Sequence, residues 1–565
     1  MKPKLFALPL AVAAVVVALV TWAAQSPQMP TALPVAAGRT PTTEGADETV
    51  AKLNQTFAAN WEAEGISPAQ AADELQMLRR LSLSLHGTIP SLEEVRQFEA
   101  DEDPDKIKRW TDRMLADTRF GDYFAERLAR SFVGVEGGAF IIYRRDRFVD
   151  WLSDELNANR PYDELVRQMM TEEGLWTGKP ATNFVTSTIN ENKVDENKLT
   201  ARCVRAFLGQ RIDCAQCHDH PFDVWTQKQF EGLAAHFGQT QFSAVGVENE
   251  TREKNEETDK EEAVEYVVED RETLEKRVVA PVVPFGEEWL PKSGSRRDRL
   301  AGWITHPENR RFERAIVCRV WGYMFGKSSS YLIGQPYEPD PPVDDLPPPG
   351  ELSEPDMLDL LGADFREHGY DLKRLIQVIT ASRPFLLDST HSADVDGADP
   401  TRVDQLIAQG AVFPLTRLRP EQVIGAMIQT GSIKTIDQNS HLVVRFLRFV
   451  SENNFVKEYG DLGEDELMEH PGTLPQALLR MNGDFGGNIL TASPFTASGR
   501  IVSSAGSDEA CLDACFLVGL SRRPTFDEKE QLLPLLKDTK DDARKHVVED
   551  IYWSMFNSPE FSWNH

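Results

Sequence analysis

The sequence predicts a mainly α protein in which two helical domains are joined by an acidic, partly extended linker. Apolar residues recur at helical spacing along most of the chain, and strand-like alternation is scarce. Helix-start signals precede these apolar runs, as in the capping box formed by Ser91 and Glu94. With 565 residues, the chain is too long for one ordinary core, so we expect more than one domain.

The first 25 residues combine positive charge with an apolar run. Lys2 and Lys4 precede apolar residues from Leu5 to Ala24, and small residues and prolines follow. This order is typical of a signal peptide, but a run of about 20 apolar residues could also span a bilayer uncut. We therefore expect export to the periplasm or cell surface, with residues 1–25 acting as a signal peptide or a membrane anchor.

The rest of the chain divides by composition into four segments. Residues 26–49 are rich in Pro, Ala and Thr and predict a disordered linker. Residues 50–243 and 293–565 have amphipathic helical patterns and predict the two helical domains. Residues 244–292 contain a heavily charged acidic stretch, which predicts a solvated linker or an exposed hairpin.

The formal net charge of −29 argues against nucleic-acid binding. A chain without an excess of basic residues cannot displace the counterions of a phosphate backbone.

The stretch IDCAQCHDHPFDVW, residues 212–225, concentrates the chemistry of the chain. It holds two of the six cysteines and two of the eleven histidines. Cys214, Cys217 and His218 fit C-x-x-C-H, the attachment signature of c-type haem. Two cysteines one helical turn apart can both add to the vinyl groups, and the next residue is then aimed at the iron. Such attachment takes place outside the cytoplasm, in agreement with the N-terminal segment.

The second axial ligand of such a haem is not evident. His220 follows His218 too closely to reach the opposite face of the ring, and no methionine occurs between Met170 and Met324. His236 and His306 are the nearby candidates for a distal ligand. An open sixth position would instead suit chemistry with a small oxidant.

Two further interpretations of the cluster stay open. Its thiols and imidazoles provide four donors within seven residues, enough for tetrahedral zinc or iron. These donors are Cys214, Cys217, His218 and His220. Asp219 and Asp223 would then hydrogen-bond the metal ligands from outside. Alternatively, the two cysteines form a plain or redox-active disulfide in an oxidising compartment.

The same residues carry a resemblance to a known family. RRDRFVDWLSDELNANRPYDELVRQMM and FLGQRIDCAQCHDHPFDVWTQKQFEGLAAHF resemble the planctomycete cytochrome-like domain, found in exported proteins of planctomycete bacteria. NRRFERAIVCRVWGYMFGK, LLGADFREHGYDLKRLIQVITASRPF and RLRPEQVIGAMIQ resemble the planctomycete-specific domain that follows it. The motif positions that the resemblance carries over are Cys214, Cys217, His218, Asp219, His220, Pro221, Phe222 and Asp223. The segments SLHGTIPSLEEV and VCRVWGYMFGKSSSYLIGQPYEP depart from the family pattern.

The resemblance covers the chain from about residue 70 to 565. It implies which family the chain belongs to, but it implies no particular reaction. We expect an exported redox-type protein with one covalent haem at CAQCH, which exchanges electrons with a redox partner or activates a small oxidant. The alternatives are an exported zinc or iron enzyme that acts on a surface polymer, and a structural surface protein with a disulfide. Whether the chain is an enzyme stays open, because no other catalytic constellation stands out.

Overall fold

The structure, a computed structural model, confirms the mainly α prediction. It describes residues 38–565 except 138–141, 192, 222, 250–251, 255–260, 270–272, 328–329, 334–342, 350–355, 392–399, 441–451, 453, 464–466, 468–471 and 483–490. The predicted signal peptide or anchor at residues 1–25 and the linker residues 26–37 lie outside this part of the chain. Within the described residues, no helix combines the length and the apolar character that a membrane span needs.

Nine helices precede the cysteine-rich stretch in the described part of the chain. They are α1 (Ala46–Ala63), α2 (Glu74–His86), α3 (Leu92–Glu99), α4 (Lys106–Ala116), α5 (Thr118–Val133), α6 (Arg145–Asn157), α7 (Tyr162–Thr171), α8 (Asn183–Thr186) and α9 (Glu196–Leu208). The predicted capping box at the start of α3 is present in both directions. Helix α1 begins inside the segment predicted as linker, and before it the Thr42 backbone NH donates to Asp371 at 3.0 Å.

Short antiparallel hairpins lie on both sides of the cysteine-rich stretch. Before it, β1 (Ile189–Asn190) pairs with β2 (Lys193–Val194). After it come the helix α10 (Gln227–Ala234) and three further pairs: β3 (Gln241–Ser243) with β4 (Gly246–Glu248), β5 (Arg252–Lys254) with β6 (Glu261–Ala263), and β7 (Val267–Glu269) with β8 (Lys276–Val278). The acidic segment is thus partly extended, as predicted, because three of these pairs lie within or at the edge of residues 244–292.

The remaining chain returns to helices. They are α11 (Arg296–Ile304), α12 (Arg310–Phe325), α13 (Met357–Glu367), α14 (Leu372–Ala381), α15 (Arg383–Leu386), α16 (Pro400–Ala408), α17 (Pro420–Thr430), α18 (Leu474–Asn482), α19 (Ala497–Ser504), α20 (Asp508–Gly519), α21 (Phe526–Leu536) and α22 (Asp541–Asn557). One further strand pair joins β9 (Thr416–Arg417) to β10 (Trp563–Asn564).

Helices from both sides of the acidic segment pack into one core. Residues Pro41 to His565 form one compact unit, and its main apolar cluster includes side chains of α5, α9, α12 and α14. The ring of Tyr162 stacks on that of Phe312 with centroids 5.3 Å apart. A second cluster joins the end of α2 to helices α17, α20 and α22. The two predicted helical segments therefore share buried surface.

Candidate functional site

The cysteines of the C-x-x-C-H motif lie on a single tight turn. Residues Asp213–Gln216 form a 3-10 helix between α9 and α10. Ile212 and Ala215 are fully buried, and the Ala215 backbone NH donates to the Ile212 carbonyl at 2.9 Å. Cys214 and Cys217 lie on the other side of this turn and are exposed. The two apolar side chains thus anchor the turn while both thiols face solvent.

The motif histidine is exposed beside them. All six cysteines lie in the described part of the chain, and none of them forms a disulfide. The Nδ1 atom of His218 lies 2.7 Å from the carbonyl oxygen of Asp219. A neutral imidazole that donates Nδ1–H to a carbonyl has its lone pair on Nε2, the nitrogen that can then bind a metal ion. The structure therefore offers two exposed thiols and one exposed imidazole whose Nδ1 atom contacts a carbonyl.

A buried hydrogen-bond chain holds the motif loop, by which we mean residues 212–226 without residue 222. The Trp225 indole NH donates to the Gln210 side-chain carbonyl at 2.8 Å, and both residues are buried. The Gln210 amide then donates to the carbonyl of Leu346, in the second half of the chain. Across the loop, the His220 backbone NH donates to the Trp225 carbonyl at 2.7 Å. Trp225 thus connects the motif loop to two separate parts of the core.

The two aspartates predicted to support a metal bind backbone groups instead. The Asp219 carboxylate accepts from the backbone NH of Gln227, at the start of α10, at 2.9 Å. The Asp223 carboxylate accepts from the backbone NH of Val224 at 2.6 Å. Both contacts stabilise the shape of the motif loop. Phe222, a motif position carried over from the resemblance, lies outside the described residues.

The predicted tetrahedral metal set is not assembled. In the described residues, no three His, Cys, Asp or Glu side chains come close enough together to hold a metal ion. Cys214, Cys217, His218 and His220 therefore do not form a preorganised zinc or iron site in this structure. Haem attachment does not require such a cluster of ligands, because the thiols form bonds to the vinyl carbon atoms of the haem and only an imidazole binds the iron.

The two candidates for a distal ligand occupy different environments. His236 is buried, its Nδ1 donates to the Gly232 carbonyl at 3.1 Å, and burial lowers its pKa to about 4. His306 is half-buried and stacks on Trp289 with ring centroids 5.5 Å apart. Its Nδ1 accepts from the backbone NH of Glu308 at 3.2 Å. Both imidazoles thus already contribute to local structure.

A cleft of about 880 Å³ opens beside the motif loop. Gln216 and Cys217 line it from the motif side, and Gln227 and Glu231 line it from α10. The start of α9 contributes further polar groups. The facing wall is residues 264–269, from the acidic segment. The charge of this segment predicts a solvated linker or an exposed hairpin, so the sequence does not predict the cleft.

An apolar patch in the acidic segment explains why that wall is ordered. Tyr266 is buried, and its backbone packs against Gly238, where an added Cβ would lie 2.5 Å from the Tyr266 nitrogen. The Arg277 guanidinium pairs with the buried carboxylate of Glu231 across the same contact. The signal in the sequence was the run VEYVV, residues 264–268, which stands out within a charged stretch.

Ion pairs compensate the carboxylates around the cleft. Besides the pair of Glu231 with Arg277, Glu265 accepts two bonds from Arg296 at 2.7 and 2.9 Å. Burial raises the pKa of Glu196, and the positive charge of Lys193, which also lines the cleft, partly offsets this rise. The net negative charge of the cleft lining is therefore much smaller than the number of acidic residues in that lining indicates.

A loop from the second half of the chain packs on α9 and the start of the motif loop. Asp344 is buried and accepts from Arg211 at 2.9 Å and from Arg205 at 2.5 Å. Burial alone would raise the pKa of Asp344, but these two arginines outweigh it and lower the pKa. Burial raises the pKa of Asp345, and the negative charges of Asp223 and Asp344 add to that effect.

Two family models match parts of the chain. The family model described as PSCyt2, protein of unknown function (DUF1549), matches residues 52–242, and the motif lies within that range. The model described as PSD1, protein of unknown function (DUF1553), matches residues 296–442.

The chain belongs to this two-domain planctomycete-type family. The resemblance drawn from the motif and from the segments of the second half is confirmed over residues 52–242 and 296–442. The hairpins of the acidic segment fall between the two matched ranges, so the cleft wall is contributed by a part of the chain outside both family models. No curated protein and no solved structure matches the chain.

Proposed function

We propose that this planctomycete-type protein is exported and carries one covalent c-type haem on Cys214 and Cys217, with His218 as the axial ligand. The observation that carries the proposal is the joint exposure of both thiols and the imidazole on one anchored turn. The basic and apolar character of residues 1–25 supports export to the compartment where such attachment occurs.

The donor chemistry of the motif loop fits haem better than a tetrahedral metal ion. Thioether formation needs two accessible thiols, and axial ligation needs one unprotonated imidazole nitrogen. Cys214, Cys217 and His218 provide these groups, whereas the described residues assemble no three-ligand metal set. A bound haem would supply one-electron transfer or reaction with a small oxidant.

The residues of this chain would then act by positioning. The carbonyl of Asp219 fixes the tautomer and the ring plane of His218. The hydrogen bonds of Trp225 hold the turn against the core, so that the two thiols keep a constant separation. Exposure of the turn would leave a haem edge open to a redox partner, and the net charge of −29 favours a cationic one.

The test is expression of the full chain, including its N-terminal segment, in a bacterial host with c-type haem attachment machinery. We expect one haem per chain, measured as the pyridine haemochrome spectrum and as an increase in the mass of the intact protein. The double variant C214S/C217S should lose covalent haem. H218A should change the haem spectrum, and H220A, the matched histidine in the same loop, should leave it unchanged.

Two outcomes would overturn the proposal. One is a folded, exported chain without haem in cells where a known cytochrome c matures normally. If that chain carries one equivalent of zinc or iron that H220A removes, the non-haem metal alternative is supported instead. The other is a haem that survives in C214S/C217S, because attachment would then occur elsewhere.

A further inference from the structure

The cleft beside the motif loop meets the proposed haem attachment at Cys217, and the rest of its lining has no role in that attachment. Its volume of about 880 Å³ lies within the range of about 300–1,000 Å³ typical of small-molecule sites. Such sites are usually lined by apolar side chains, whereas amide, hydroxyl and carboxyl groups dominate here. The lining therefore calls for a ligand with many hydrogen-bonding groups.

The charges in the cleft do not call for a strongly charged ligand. Glu231 is neutralised by Arg277 and Glu265 by Arg296. Glu196, at the start of α9, shares the lining with Lys193, whose positive charge partly offsets the rise that burial causes in the pKa of Glu196. Glu269 lies 3.7 Å from Lys276. Acidic and basic side chains thus balance around the cleft, and its other hydrogen-bonding groups are neutral.

The hydrogen-bonding groups stand on two facing sides. The Tyr266 hydroxyl donates to the Asn197 side-chain carbonyl at 2.6 Å, which leaves the amide NH2 of Asn197 to donate to a ligand. On the other side, Gln216 and Gln227 contribute amide groups from the motif loop and α10. The ring of Phe242 adds an apolar surface against which the C–H groups of a sugar ring can pack.

We infer that this cleft binds a neutral polyhydroxylated ligand of the oligosaccharide class, held by Asn197 and Tyr266 on one wall and by Gln216 and Gln227 on the other. Vicinal hydroxyl groups both donate and accept, so paired amide and carboxyl groups satisfy them. The inference is independent of the proposed haem, because none of these four side chains is a haem ligand in that proposal. Since Gln216 adjoins Cys217, a bound ligand would lie next to the motif.

The test is isothermal titration of the full chain with four neutral tetrasaccharides that differ in linkage: maltotetraose, cellotetraose, mannotetraose and chitotetraose (the N-acetylated form). We expect saturable binding of at least one of them by the chain without haem, in which Cys217 is unmodified. N197A and Y266F should each weaken that binding about three- to tenfold, the effect of one lost neutral hydrogen bond. E308Q, an exposed carboxyl outside the cleft lining, is the control and should leave the affinity unchanged.

A cationic ligand is the competing occupant, and spermidine is its probe. E196Q removes the negative charge of Glu196 but retains a hydrogen-bonding side chain, so binding of the tetrasaccharide should survive it, whereas binding of a cation should weaken. The inference is overturned if none of the four tetrasaccharides binds at millimolar concentration, or if spermidine alone binds. It is also overturned if a tetrasaccharide binds with the same affinity to N197A and Y266F. Because each measurement is made on the chain without haem, none of these outcomes depends on the proposed attachment.

Discussion

Replacement of Trp225 by phenylalanine should release the motif loop from the core. The variant keeps an aromatic ring but removes the indole NH that donates to Gln210 at 2.8 Å. Gln210 is 1% exposed, so its carbonyl would lose its donor without gaining water, at a cost of about 1–3 kcal/mol. The smaller ring leaves a cavity that adds about 1 kcal/mol. We therefore expect a local destabilisation of about 2–4 kcal/mol.

Hydrogen exchange measures this local destabilisation directly. It is followed by mass spectrometry on peptides that cover the motif loop. The His220 backbone NH, which donates to Trp225, should exchange faster by about 30-fold to several hundredfold, since each 1.4 kcal/mol is a factor of ten. Trp553→Phe is the matched control, because Trp553 is 41% exposed and donates to the Met481 carbonyl at 3.3 Å. That variant should cost less than about 1 kcal/mol. Equal acceleration of exchange around the two tryptophans would refute the role assigned to Trp225.

Two further predictions concern the surroundings of the motif loop. Gly238→Ala should lower the free energy of unfolding, measured in urea, by about 1–3 kcal/mol, because the added Cβ would lie 2.5 Å from the Tyr266 nitrogen. Gly506→Ala is the control and should leave the free energy of unfolding unchanged, because no atom lies within 4 Å of the Cβ added there. Asp345→Asn should stabilise the protein at neutral pH by less than about 1 kcal/mol, because the folded-state pKa of Asp345 is raised. This gain in stability should fade as the pH falls from the folded-state pKa to the unfolded value of about 3.9. Asp344→Asn should destabilise at neutral pH, since the folded-state pKa is lowered, and its effect should vanish as the pH falls through that pKa. Indistinguishable glycine variants, or aspartate variants of the same sign, would contradict these assignments.

The sequence was sufficient for the fold class and for individual helix starts. Helical periodicity reports which face of a segment is buried, and a capping box such as Ser91 with Glu94 is satisfied within a few residues of itself. Both signals are local, so they do not depend on the partner of each helix. The shared core of the two predicted helical segments is not local, because Tyr162 and Phe312 meet only in the folded chain.

The grouping of the motif side chains was predictable to a similar extent. Spacing alone identified Cys214, Cys217 and His218 as one group, and they do share an exposed turn. It could not show that Asp219 would bind the start of α10, because a carboxylate near a metal motif and a carboxylate that binds a backbone NH look alike in sequence. Nor could it show that burial would lower the pKa of His236, which depends on the helices packed around it.

The cleft wall shows why composition misleads in a segment of mixed character. The high charge of a segment indicates that it has too few apolar residues to form a hydrophobic core of its own, and this holds for residues 244–292. It does not report whether a few apolar residues dock on a core built elsewhere, as Tyr266 does against Gly238.

The motif loop and the cleft are held by different parts of the chain, and this separation has an experimental consequence. The loop depends on Gln210 and Trp225 and on the carbonyl of Leu346, whereas the cleft wall depends on Tyr266 and its contact with Gly238. A substitution that loosens the wall should therefore leave the thiols anchored, because no hydrogen bond of Trp225 passes through it. Haem attachment and ligand binding can thus be lost one at a time, and a variant that always lost both would show that the loop and the wall form a single site.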